Sequence, residues 1–295
     1  MAATSAPAAT AETTAWSLYI IAALFVCYML SATTGVDKGI KILSNLNMAI
    51  AIALMAIVIV FGPTQFIFET YLDSIGAYFT ELPYQAFKLF PFEGLQGWTS
   101  GWTLTYFIWW LAWGPFVGIF VARISRGRTI REFCVGVILV PTIFSMLWFA
   151  AFGGTAIYVE LFGVGGIAEL VFQDVTKALF VFLDFFPAGD ALGVTAALLI
   201  FIFLVTSADS GTFVLSMMTT DGNLNPPVLH KMVWGVLIAV LTIGTLLSGS
   251  VEVAKAMAIT GALPFSVVLL LQIVGFLRSI RQELKPTARP IESRG

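Results

Sequence analysis

"YFIWWLAWGPFVG", residues 106–118, decides how this chain is read. Trp109, Trp110 and Trp113 fall within five positions of an apolar run, and a Gly-Pro pair follows at once. The run is apolar enough for a bilayer, yet it holds three of the chain's eight tryptophans away from its ends. Tryptophan in a membrane span normally sits at the interface, where its amphipathic ring anchors a helix end. Trp102 fits that role, but the other three lie one to two turns deeper. On a helix, Trp109 and Trp113 are about 40° apart and Trp110 is about 100° from Trp109. Trp102, Tyr106 and Phe116 extend the same broad face. Gly114-Pro115 removes a backbone hydrogen bond and is expected to loosen the helix just beyond them.

The rest of the chain places that segment in lipid. Of 295 residues, 59% are hydrophobic and 11% charged, with mean hydropathy +0.94. A soluble domain carries about a quarter charged residues, so an all-α polytopic membrane protein is expected. Seven spans of about 20 apolar residues are predicted at 16–34, 45–62, 103–124, 133–158, 192–219, 231–249 and 254–277. Residues 1–15 are small and polar and are expected to be a disordered tail, without the basic stretch of a signal peptide. Two connectors, about 63–101 and 159–191, mix aromatics with Gly, Pro and acids. They are expected to form short amphipathic helices on the membrane surface. Residues 278–295 form a tail.

Charge sets an orientation. Lys38, Lys41, Arg123, Arg126, Arg128, Arg131, Lys231 and the five basic residues from Arg278 to Arg294 fall on one side of the seven spans. Lys88, Lys177 and Lys255 remain for the other. Basic loops stay cytoplasmic, so the C-terminus is expected inside, with both connectors and the N-terminus outside. The arginine loop is either an ordinary topology anchor or a contact for anionic lipid or a regulatory tail.

Composition also removes several function classes. A net charge of -2 gives no reason to expect a nucleic-acid partner. The one histidine, His230, cannot build a multi-histidine metal site and is expected at an interface. Cys27 and Cys134 fall in apolar runs and are expected as buried thiols. No nucleophile–base pair or nucleotide-binding loop is visible, so no enzyme is expected.

Two clusters remain. No acid lies between Trp102 and Arg123, so a cation bound there would meet only rings. A quaternary ammonium, which has no hydrogen-bond donors, suits such a site, each ring attracting it by roughly 0.5–2 kcal/mol. Core packing explains the same stripe equally well. The fifth span contains "FLVTSADSGT" from Phe203. Thr206 and Ser207 offer uncharged oxygen ligands for a weakly held alkali ion, or they satisfy backbone and help helices pack. Asp209 is the only acid within a predicted span, and an intramembrane ionisable residue is functional by default. It is expected to act in gating or coupling, or to reach cytoplasmic water through a vestibule.

The stretch GWTLTYFIWW, residues 101–110, resembles the signature of the betaine/carnitine/choline transporter family. Gly101, Trp102, Thr103, Leu104, Tyr106, Trp109 and Trp110 match it, and Phe107 stands where the family has Trp. The segments GVDKGIKILSNLN (35–47), FVARISRGRTIREF (120–133) and TSADSGT (206–212) are similar to family segments in the same order. The resemblance implies an inverted-repeat secondary-transporter fold of about twelve spans, of which these seven are the last and the first five helices are missing. It implies sodium- or proton-coupled uptake, or exchange, of a quaternary-ammonium compound such as glycine betaine, choline or carnitine. By position, Trp109, Trp110 and Trp113 match the family's aromatic box and the pathway beside it. Its sodium site maps onto Thr206, Ser207 and the Phe203 carbonyl, and family exchangers that dispense with sodium lack the hydroxyl pair. The resemblance further implies the inner cell membrane, a homotrimer and no cofactor beyond Na⁺. A chain supplying part of such a fold is either a transporter subunit in a two-chain assembly or a fragment that does not transport.

Overall fold

Backbone groups in lipid must be satisfied within their own segment, which leaves the helix as the form for an isolated apolar run. The computed structural model describes residues 7–34, 37–248 and 251–283. Among them every regular element is helical. Seven stretches are long and apolar enough to cross a membrane: Thr14–Thr33, Lys41–Phe61, Gln96–Ile124, Ile130–Phe162, Gly189–Met218, Val228–Leu247 and Ile259–Glu283. These coincide with the seven predicted spans to within a few residues at most ends.

The helices are α1 (Pro7–Thr34), α2 (Asp37–Phe61), α3 (Thr64–Phe87), α4 (Gln96–Trp98), α5 (Thr105–Ile124), α6 (Ile130–Cys134), α7 (Val140–Phe149), α8 (Thr155–Phe162), α9 (Ile167–Gln173), α10 (Ala178–Leu183), α11 (Gly189–Met218), α12 (Val228–Leu247) and α13 (Val251–Glu283). Three π-helical turns interrupt two spans, at Thr99–Leu104, Val135–Leu139 and Ala150–Gly154.

Several expectations are corrected. The tail predicted over 1–15 is helical from Pro7, because proline is well placed in a first turn and alanines follow it. Residues 1–6 and 284–295, the latter most of the predicted C-terminal tail, lie outside the described residues. The connector after the second span is mostly one 24-residue helix, α3, about 36 Å long. In the second connector, Phe182, Leu183 and Phe186 are buried core residues rather than a surface layer. Cys27 and Cys134 are free and lie on exposed helix faces.

The chain divides into two compact units, Met1–Lys88 with Arg123–Gly244, and Leu89–Ala122 with Thr245–Gly295. The first unit is built on Leu54, Met55 and Val58 of α2, Ile67 of α3, Ala151, Ile167 of α9, Phe182 and Leu183 of α10, Phe186, and Leu192 and Ala196 of α11. Trp148 and Phe152 stack at 4.3 Å beside this core. α11 lies against both α1 and α2. Its start demands glycine: a Cβ on Gly189 would lie 2.7 Å from the Asp184 Cα. Local caps fix the other ends. Thr129 and Glu132 form a reciprocal capping box before α6, and the Glu160 carboxylate accepts from the Ile167 and Ala168 amides at 2.8 and 3.2 Å. Asp174 Oδ1 accepts from the Thr176 amide at 3.0 Å and Oδ2 pairs with Lys177 at 3.5 Å. The Thr176 bonds, then the Lys177 charge, hold the Asp174 carboxyl below the usual range.

The second unit contains α4, α5 as far as Ala122, and α13. Gly114 of α5 faces Leu269 of α13, which a Cβ would approach to 3.4 Å. Phe107, Leu111, Leu269, Ile273 and Phe276 line an apolar groove of about 680 Å³ between the two helices.

Candidate functional site

Within the second unit, α5 presents two opposed faces. Phe107, Leu111 and Gly114 turn toward α13. Trp102, Tyr106, Trp109 and Trp113 lie on the far side, since seven residues of helix separate directions by about 20° and two by about 200°. Trp109 and Trp113 are each 44% exposed and Trp110 is 72% exposed. Packing within this unit therefore uses the glycine face and leaves the tryptophan face uncovered among the described residues. Neighbouring rings steady it. Trp102 stacks on Tyr106 at 5.7 Å with planes 3° apart, and Trp113 meets Phe116 edge-on at 5.3 Å. Edge and offset contacts of this kind hold aromatic side chains in defined orientations.

Gly114-Pro115 does not break the helix. α5 continues through Pro115 to Ile124, and the missing amide costs it only the donor to the Leu111 carbonyl. The irregularity falls earlier, in the π turn Thr99–Leu104, which overlaps the start of the signature stretch. The Thr105 hydroxyl donates to the Ser100 carbonyl at 2.8 Å there. Turns of this type are over-represented at functional positions, and apolar sequence carries no sign of them.

The first unit carries the hydroxyl cluster on α11. The Thr206 hydroxyl donates to the Phe203 carbonyl at 3.0 Å, so the two expected oxygens are adjacent. A hydroxyl that gives its proton inward keeps its lone pairs directed outward, as a cation ligand requires. Ser207 is next to it and half-buried. Asp209 is 6% exposed, which places it inside this unit. The Thr212 hydroxyl donates to the Asp209 carbonyl at 2.7 Å and that of Ser216 to the Thr212 carbonyl at 2.6 Å. Asp209, Thr212, Ser216 and Thr220 thus follow one another at spacings of three and four along one face.

Some residues of this region escaped the sequence reading. Phe213 carries the Arg123 guanidinium over its ring at 3.9 Å and the Lys231 ammonium at 5.1 Å. Tyr28 of α1 donates to the Gly235 carbonyl of α12 at 2.7 Å. The Trp234 indole donates to the Thr219 hydroxyl at 2.9 Å. One phenylalanine among 26 gives no signal; its position directly after TSADSGT was the available hint. His230 sits half-buried in the first turn of α12.

The betaine/carnitine/choline family transporter profile matches residues 4–285. The chain belongs to this family. The family is one of transporters, not of enzymes. An ectoine/hydroxyectoine transporter of Virgibacillus pantothenticus is 41% identical over 269 residues, covering 91% of this chain and 54% of that protein. A glycine betaine transporter of Bacillus subtilis is 42% identical over 267 residues, covering 90% and 52%. A glycine betaine/proline/choline transporter of Vibrio parahaemolyticus is 35% identical over 276 residues, covering 92% and 49%. The chain spans about half the length of the curated relatives it matches. It is a multi-pass membrane protein, with seven candidate spans among the described residues.

Proposed function

We propose that this chain serves sodium-coupled transport of a quaternary-ammonium solute such as glycine betaine, choline or carnitine, by alternating access in an inverted-repeat fold. The observation that carries the reading is the exposure of Trp109, Trp110 and Trp113, the first and last turned away from the packing face of α5 and Trp110 projecting from its flank. Tryptophan that fills a core is buried by its neighbours; these rings are not. A trimethylammonium group offers no hydrogen-bond donor, so ring faces replace its weak hydration at little desolvation cost. The remaining wall of the cage comes from outside the helices described. An ion at Thr206, Ser207 and the Phe203 carbonyl would be held weakly enough to leave, as a coupling ion must. Asp209, one turn further along α11, acts in coupling or gating. The protein resides in the cell membrane with its C-terminus cytoplasmic, as the basic residues favour, and assembles as a homotrimer.

A second solute follows from the relative named for ectoine and hydroxyectoine. An amidinium carries N–H groups and spreads its charge over a plane, so it stacks on a ring instead of sitting over it. Competition distinguishes the two. Quenching of tryptophan fluorescence by glycine betaine, measured in Na⁺, is expected to be displaced by choline and carnitine. Displacement by ectoine alone would transfer the site to amidinium solutes. No response to any of these compounds would remove the proposal.

A further inference from the structure

The end of α11 beyond the hydroxyl cluster is closed by groups that transport chemistry does not obviously need. Phe213 lies on the same side of α11 as Asp209, Ser216 and Thr220, one turn from the first. Arg123 stands over its ring at 3.9 Å and Lys231 at 5.1 Å. Among the described residues neither cation forms an ion pair with a carboxylate. Lys231 instead also donates to the Ala32 carbonyl of α1 at 3.4 Å. Two like charges therefore share one half-buried ring, an arrangement held against their mutual repulsion by the ring face and a helix-end carbonyl. Behind it, Thr212 and Ser216 are fully buried, and α12 approaches so closely at Gly235 that a Cβ would collide with the Met29 sulfur and touch Thr212 Cγ2 at 3.4 Å.

We propose that Phe213 is a positioning residue: with Arg123 and Lys231 it forms a two-cation clasp that shuts the buried polar stripe Asp209–Thr212–Ser216 of α11 from the aqueous phase at that end. The clasp has the features of a reversible closure. Each cation–ring contact contributes modestly at a partly wet site, so separation needs no large energy. An outgoing cation near Asp209 would be repelled by both charges until they swing away. Their release and its exit are thereby linked. In the orientation set by the basic residues, this end faces the cytoplasm.

The inference rests on α11 lining a transport path, but its test requires no transport, so the two fail separately. A cysteine is placed at Ser216 in a chain with Cys27 and Cys134 changed to serine. Its modification by a membrane-impermeant thiol reagent is followed in everted and right-side-out vesicles. With Phe213 intact the reaction is expected to be slow in both. Phe213→Leu, which keeps apolar volume but loses the ring, is expected to speed it on the order of tenfold in everted vesicles only. Arg123→Gln with Lys231→Gln, which keeps the ring, is expected to do the same, and Phe213→Trp is expected to remain slow. A fast Phe213→Leu variant beside a slow double-glutamine variant would make the ring mere filler and overturn the clasp. So would a fast Phe213→Trp variant, or no change in any of them.

Discussion

Replacing Trp109 or Trp110 separates binding from packing more cleanly than any other change to this chain. Trp109 lies on the face of α5 turned away from α13 and Trp110 on the flank beside the packing face, at 44% and 72% exposure. Their removal takes little from the contacts within their own unit, and exposed substitutions typically shift stability by no more than about 0.5 kcal/mol. Loss of one π face from an ammonium site is expected to cost about 1–2 kcal/mol, which is roughly five- to thirtyfold in Kd. Trp→Phe at either position keeps a ring and is expected to cost less. Trp148 is the control. It stacks on Phe152 at 4.3 Å, half-buried beside the core, so Trp148→Ala is expected to destabilise by at most the roughly 3–5 kcal/mol of a fully buried tryptophan without changing which solute is preferred. The assay is glycine betaine titration against the fluorescence of the remaining tryptophans, paired with thermal unfolding in the same detergent. Equal losses for Phe and Leu, or a fall in thermal stability that tracks the loss of affinity, would refute the cage and return these rings to shape filling.

Three further changes report on other parts of the structure. Thr206→Ala with Ser207→Ala is expected to raise the Na⁺ concentration for half-maximal uptake while the protein stays folded, and an unchanged sodium titration would remove the ion site. The Thr155 hydroxyl is buried without a partner among the described residues, so Thr155→Val relieves a burden of about 1–3 kcal/mol and is expected to raise the unfolding temperature; a fall would show a partner for that oxygen. Asp174 has its carboxyl pKa lowered by Thr176 and Lys177, so the capping is complete above the ordinary carboxylate range and is lost only as pH falls through the lower folded value. Amide exchange at Thr176 is expected to stay protected across the ordinary range and to quicken below it, whereas loss of protection near the ordinary carboxylate pKa would contradict the cap.

The spans were legible because lipid imposes a length and a composition on every helix, and 20 apolar residues declare themselves. The α1 start was not, since a polar alanine-rich segment is equally good helix and equally good tail. Nor was α3, whose acids and aromatics hide a continuous 24-residue helix behind a connector's composition. At the candidate site, residue types nominate Trp109, Trp110, Thr206 and Ser207, but the faces they occupy had to be seen. Gly114 was read as a point of weakness beside Pro115; it is instead the surface on which α5 meets Leu269. Phe213 was invisible, because an aromatic in an apolar span acquires meaning only when Arg123 and Lys231 arrive from distant segments.

Coupling between solute and ion is the central claim, and reciprocity tests it most directly. If one conformation holds both, each ligand must raise the other's affinity by the same factor. Glycine betaine binding is measured in membranes of a host lacking its own betaine uptake, first in Na⁺ and then in K⁺ at equal ionic strength. Na⁺ affinity is measured with and without betaine. Betaine is expected to bind more tightly in Na⁺ than in K⁺, with an equal factor for Na⁺ in the presence of betaine and no such factor in the Thr206→Ala, Ser207→Ala protein. Identical betaine affinity in Na⁺ and K⁺ would contradict sodium coupling through this site.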